Sequence, residues 1–147
     1  MFRSKTLFVV GAGGSFEAGL PTGATLKNQI ARAVNIRFRH LSEKISGDDE
    51  ITEALNRHVQ QSSRQRGDIN PYIRAGWKIH DAMPQAISID NFIDAHRGDK
   101  HLELIGKLGI VHAILEAEKG SRLKLEREQK TKIDYAQLET TWYNRFT

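Results

Sequence analysis

The chain has 147 residues, 39% apolar and 27% charged, with a formal net charge of +4, a composition that describes one globular domain with a core rather than a disordered polyelectrolyte. It contains no cysteine, so disulfides and thiolate metal centres are excluded and a cytoplasmic setting is expected. A sequence pI of about 9.5 suits contact with anions such as nucleotides without by itself implying DNA binding, and no apolar run approaches a membrane span.

Arg3 and Lys5 precede the apolar run Leu7, Phe8, Val9, Val10, but the run is short and Glu17 follows soon after, so no targeting segment is expected. Thr6 to Val10 is β-branched and aromatic with no polar alternation, the pattern of a strand buried on both faces in a parallel sheet. Gly11 to Gly14 end it. The remainder reads mainly as helix. From about Ala24 to Phe38, Leu26, Ile30, Ala33 and Val34 share one helical face. Asp48 or Asp49 caps a second segment in which Ile51, Leu55 and Val59 align, and Gln60 to Asp68 is polar and reads as a loop.

Asn70-Pro71 reads as a cap followed by proline at the first helical position. Ile73, Trp77, His80 and Met83 form that helix's expected inner face, and Pro84 ends it or lies just beyond it. Ser88 caps a short helix holding Ile89, Phe92 and Ile93. A longer helix is expected over Lys100 to Lys119, with Leu102, Ile105, Leu108, Val111, His112 and Leu115 inward and Gly120 as the stop. Leu123 to Lys132 mixes both charge signs and reads as solvated, and from Tyr135 the pattern is again amphipathic, with Leu138, Trp142 and Phe146. A parallel strand needs partners reached through crossovers. Either a helix such as Lys107 to Leu115 is misread, or those strands lie beyond Thr147.

The informative stretch is Gly11-Ala12-Gly13-Gly14-Ser15-Phe16-Glu17-Ala18-Gly19-Leu20-Pro21-Thr22-Gly23. A strand that feeds a glycine turn and then a helix lets the backbone approach a pyrophosphate and offers it free N–H groups and the positive end of a helix dipole. Ser15 adds a hydroxyl for phosphate or for the helix start, and Glu17 meets either the dipole or a ribose hydroxyl. Gly11 and Gly13 fit the dinucleotide fingerprint G-x-G-x-x-G, but Phe16 stands at its third glycine, and no Lys-Ser or Lys-Thr pair completes a P-loop. The alternative for the loop is a plain strand-to-helix turn.

Gly11-Ala12-Gly13, Ser15 and Gly19-Leu20-Pro21 resemble the G-A-G-x-S-x-x-x-G-(I/L)-P motif of sirtuins, the NAD-dependent deacylases and NAD-cleaving enzymes. The resemblance implies an α/β fold, the opening part of a sirtuin-like Rossmann domain, with a largely helical insert. It also implies NAD as cofactor or substrate, held by Gly11, Ala12, Gly13, Gly14, Ser15 and Gly19, with Pro21 shaping the pocket wall. Deacylase-type sirtuins continue with Asp-Phe-Arg, where Thr22-Gly23 stand here. The chain looks more like the NAD-hydrolysing domains of bacterial antiphage defence proteins. Ser88 to Asp94, Lys107 to Val111, Ile114-Leu115, Glu118 and Thr141 to Asn144 are similar to the helical part of those domains. On this reading residues 1–147 form a single incomplete domain, with 1–40 as strand, loop and helix and 41–147 as mainly helical insert.

The family cleaves NAD with an Asn-x-Asp motif after a later strand and a further His, and neither has a counterpart here. Asn91, Asp94 and His96 have the wrong spacing and lie on an expected helix, where they read as its polar face. His112 and His80 read as hydrogen-bonded core histidines, and His101, His40 and His58 lie in mostly polar surroundings. No histidine pair has metal-ligand spacing, so no catalytic and no metal residues are assigned. The chain alone is expected to be inactive, with a homo-oligomer or a missing C-terminal part completing it. Two alternatives stand beside this reading: a non-enzymatic module for NAD or ADP-ribose binding or for assembly, and a basic helical nucleic-acid-binding domain using Arg37, Arg39, Arg64, Arg66 and the lysines between Lys119 and Lys132. The last is disfavoured because the basic residues interleave with Glu126 and Glu128 or lie in loops.

Overall fold

A computed structural model of the chain describes residues 12–40, 43–62 and 67–121. The strand expected at Thr6 to Val10, Gly11, Arg64, Arg66, the mixed-charge stretch from Leu123 and the amphipathic end from Tyr135 lie outside the described residues. Those residues are mixed α and β and mostly helical. A 3-10 helix, Ala12–Ala18, leads to α1 (Gly23–Val34), β1 (Arg37–Arg39), β2 (Glu43–Ser46), α2 (Asp49–Ser62), α3 (Asn70–Ala82), α4 (Ile89–Ala95) and α5 (Lys100–Lys119). The sheet among them is the antiparallel pair β1–β2, not a parallel one.

α1 stops at Val34 rather than running to Phe38. Asn35 leaves the helical region, and Ile36 is carried into the core, fully buried. The Ile36 carbonyl accepts the Trp77 indole N–H at 2.8 Å. Beyond it Arg37, Phe38 and Arg39 pair with Ser46, Lys44 and Glu43 across a bulge. The Trp77 anchor and the ladder bonds outweigh a helix propensity that differs little among these residues. The hairpin runs across residue 40, where His40 takes a left-handed conformation with φ 48°.

Asp48 caps α2 by accepting the Ile51 N–H at 3.0 Å, and Ile51, Leu55 and Val59 are its buried face, as expected. The helix continues through Gln60, Gln61 and Ser62, which the polar sequence assigns to a loop. Glutamine is a good helix former, and an exposed last turn needs no apolar residue. In α3, Asp68 rather than Asn70 supplies the acceptor, taking the Asn70 N–H at 2.9 Å, so Asn70 is the first helical residue and not the cap. Ser88 caps α4 as expected, accepting from Asn91 N–H at 3.0 Å. Asp99 caps α5, accepting from His101 and Leu102 N–H groups, both at 3.1 Å.

Helices α1, α3 and α5 pack on one another, with α2 and α4 against α5. The inward face of α5 is not the one expected. Leu102 and Ile105 are buried, but Gly106, Gly109 and Ala113 complete the face, while Val111 and Leu115 are 53% and 49% exposed. The reason is close approach. A Cβ on Gly109 would lie 2.9 Å from both Ile30 Cγ2 and Val34 Cγ1, and one on Gly76 would lie 2.4 Å from the Val34 carbonyl oxygen. Among the described residues, no helix is long and apolar enough to cross a membrane.

Candidate functional site

Polar groups gather at several places among the described residues, of which two concern the glycine motif and the half-buried His112. The first is the glycine motif. Its described part is a 3-10 helix and not an open loop. Gly19 N–H donates to the Phe16 carbonyl at 2.9 Å and Leu20 N–H to the Ser15 carbonyl at 3.2 Å, with Gly19 at φ 88°. This is the Schellman stop, in which a left-handed glycine turns two amides back onto the last carbonyls, and a proline soon after prevents continuation. Gly19 and Pro21 thus have a structural role that is complete without a ligand.

Gly13 is different. It is exposed, its φ is not positive, and among the described residues a Cβ built there meets nothing within 4 Å, so neither its backbone conformation nor packing against those residues calls for glycine. Gly14 and Ser15 are half-buried, and Phe16 is 63% exposed beside them. Ala12 opens the 3-10 helix, and the side chains of Ala12 and Glu17 lie outside those described. Pro21 and Thr22 then deliver the chain to α1. The Thr22 side chain makes no cap hydrogen bond to that helix and no acidic residue stands in its first turn, so neither compensates its positive end.

The second place is a cavity of about 360 Å³ lined by Gln29, Arg32 and Ala33 of α1, by Gly47 and Asp48 at the entry to α2, and by His112, Ala113 and Glu116 of α5. It lies roughly 9 to 15 Å along α1 from Gly23 at the end of the glycine motif, at about 1.5 Å rise per residue. His112 Nε2 donates to Asp48 Oδ2 at 3.1 Å, and its side chain is 14% exposed. Its Nδ1 is buried with no hydrogen-bond partner among the described residues, and Glu50 Oε2 stands 4.0 Å from it. Lys119 lies 3.5 Å from Glu50 and pairs with Glu116. The hydrogen bond to Glu116 holds the Lys119 ammonium above its usual range.

His112 is therefore hydrogen-bonded, as the sequence suggests, yet it faces a cavity and not a closed core. The convergence of Asp48, Glu50, His112 and Glu116 is missed by a reading along the chain, because α2 and α5 are distant in sequence. The one local signal is His112 and Glu116 four apart on a helix. Asn91, Asp94 and His96 are exposed on or beside α4, with Asp94 paired to Arg97 at 2.6 Å and His96 Nδ1 2.8 Å from the Phe92 carbonyl. They sit on a solvated polar face. His80 donates from Nδ1 to the Ala31 carbonyl at 3.0 Å, a core hydrogen bond of the expected kind. No protein-family profile matches the chain, and no curated protein or solved structure shows a significant likeness to it.

Proposed function

We propose that the chain is the N-terminal part of a sirtuin-like NAD-binding and NAD-hydrolysing domain of an antiphage defence protein. One observation carries the reading: Gly13 lies in the motif, exposed, where a Cβ would meet no atom of the described residues within 4 Å. A glycine without a conformational or packing role is what close approach of a diphosphate to the main chain calls for. The start of α1, which the Thr22 side chain does not cap, supports it by offering a positive helix end nearby. The groups that cleave the glycosidic bond in the family have no counterpart in this chain, so the chain binds NAD and does not turn it over.

Isothermal titration of the 147-residue protein with NAD tests this. Binding is expected in the wild type and a loss of at least tenfold in affinity in Gly13→Val, with unchanged thermal stability. Absence of heat in the wild type, or equal heat in the variant, ends the reading. The exposed apolar side chains Val111, Ile114 and Leu115 of α5 favour a second reading, an assembly module that forms a homo-oligomer.

A further inference from the structure

The cavity between α1, α2 and α5 is not used by the NAD reading, and its polar groups are arranged for a different ligand. Asp48 is fixed twice. One carboxylate oxygen accepts the Ile51 N–H at the start of α2, and the other accepts His112 Nε2–H. A carboxylate can only accept, so the proton of the neutral imidazole is on Nε2 and the Nδ1 lone pair is free to donate. That lone pair is buried without a hydrogen-bond partner among the described residues. The nearest acidic group is not a donor but the Glu50 carboxylate, 4.0 Å away. A lone pair and a carboxylate facing each other repel unless a proton or a metal ion stands between them.

Glu116, one turn after His112 on α5, brings a third donor. One ligand atom from each of Glu50, His112 and Glu116 lies within 4.8 Å of the others. Donors bound tetrahedrally at about 2.1 Å from a metal are roughly 3.4 Å apart. Both glutamates are substantially exposed, 67% and 49%, so rotation of their side chains closes the difference without moving a helix. We propose that His112 Nδ1, Glu50 and Glu116 bind a divalent first-row transition-metal ion, with Asp48 orienting the imidazole. A carboxylate on the far nitrogen of a metal-bound histidine fixes its ring and raises its basicity. One imidazole with two carboxylates suits Zn²⁺ or Mn²⁺ and disfavours Mg²⁺, which prefers oxygen ligands and its own water shell. Three protein donors leave a coordination position open toward the cavity wall formed by Gln29 and Arg32. Lys119 is the counter-charge that the ion displaces, and its half-exposed stem can swing outward.

Calorimetric and thermal-shift titrations of the chelator-stripped chain with ZnCl2, MnCl2 and MgCl2 test this. Expected are one Zn²⁺ or Mn²⁺ per chain, a raised melting temperature and no comparable response to Mg²⁺. Glu116→Gln, at an exposed position, should fold normally and lose at least about tenfold in affinity, and Asp48→Asn should lose roughly 10- to 100-fold. Lys119→Met should bind more tightly than wild type. Co²⁺ substitution should give d–d absorption that disappears in His112→Gln. Gly13→Val should leave all of this unchanged, which separates the metal site from NAD binding. No binding by the wild type, or equal affinity in Glu116→Gln and Lys119→Met, overturns the proposal.

Discussion

At the scale of single residues, Asp99 shows how one side chain serves both local structure and charge. The Leu102 N–H, with the His101 N–H and the Lys78 ammonium nearby, holds its carboxyl below the usual range. A carboxylate whose folded pKa is depressed contributes stability above its unfolded pKa of about 3.9 and loses it as pH falls through the folded value. Replacing an N-cap aspartate with alanine costs about 1 kcal/mol. Asp99→Ala should therefore lower unfolding free energy by about that amount at pH 7 in urea titrations, and the gap to wild type should narrow as pH falls below about 4. A gap that stays constant to pH 2 would mean that the cap acts without its charge. Asp48 is the corresponding cap of α2, but its second oxygen is engaged by His112, so its substitution disturbs two elements at once.

At the scale of elements, the approach of α1, α3 and α5 rests on glycines as well as on the buried side chains of Ile30, Val34, Ile79, Leu102 and Ile105. Alanine at residue 76 would gain up to about 1 kcal/mol of helix propensity. Its Cβ would also meet the Val34 carbonyl oxygen at 2.4 Å and Ile105 Cδ1 at 2.8 Å. The Ile105 methyl can move, but the carbonyl belongs to the last turn of α1 and cannot yield without shifting that helix. Overpacking of this kind costs about 1–3 kcal/mol, so Gly76→Ala should be net destabilising in thermal or chemical denaturation. A neutral or stabilised variant would show the contact to be looser than described. These glycines also explain what the sequence conveys of α5. Its span from Lys100 to Lys119 and its stop at Gly120 are as the sequence predicts, because such signals are local, and Asp99, which that reading does not name, caps its start. Its buried face is not, because apolar periodicity points to Val111 and Leu115, whereas close approach selects Gly106, Gly109 and Ala113. The end of α1 is likewise illegible, since the Ile36 carbonyl finds its partner in Trp77, 41 residues away.

At the scale of the whole molecule, the net charge of +4 is not carried by the described residues, in which acidic side chains outnumber basic ones and several cations are engaged. Arg57 pairs with Glu53 at 2.7 Å, Arg97 with Asp94 at 2.6 Å and Lys107 with Glu103 at 2.5 Å, while Arg37 lies 5.3 Å over the Trp77 ring. Non-specific duplex binding depends on cations free to replace condensed counterions. Between Lys119 and Lys132 the basic residues interleave with Glu126 and Glu128 in the sequence, and the chain is expected to show no retained binding to duplex DNA at about 150 mM salt in a mobility-shift titration, even where weak binding occurs at low salt. Tight binding that survives that salt would restore the nucleic-acid alternative. The candidate sites differ in legibility for the same reason as the elements. The glycine motif is contiguous and visible along the chain, whereas the acidic groups around His112 meet only once α2 folds against α5.

The glycine contacts at residues 76 and 109 have an effect beyond stability. Where main chain rests almost directly on a neighbour, the gap between helices is gauged by atoms common to every amino acid. At Gly76 the neighbour is the Val34 carbonyl, a gauge that core side chains do not alter, whereas at Gly109 the neighbours are the Ile30 and Val34 side chains, whose volumes set the gap. The wall bearing Gln29 and Arg32 and the wall bearing His112 and Glu116 belong to α1 and α5, the two helices so spaced at Gly109. The width of the chamber between them is thus set by Ile30 and Val34 resting directly on the Gly109 main chain, and it should change with the volume of those two side chains.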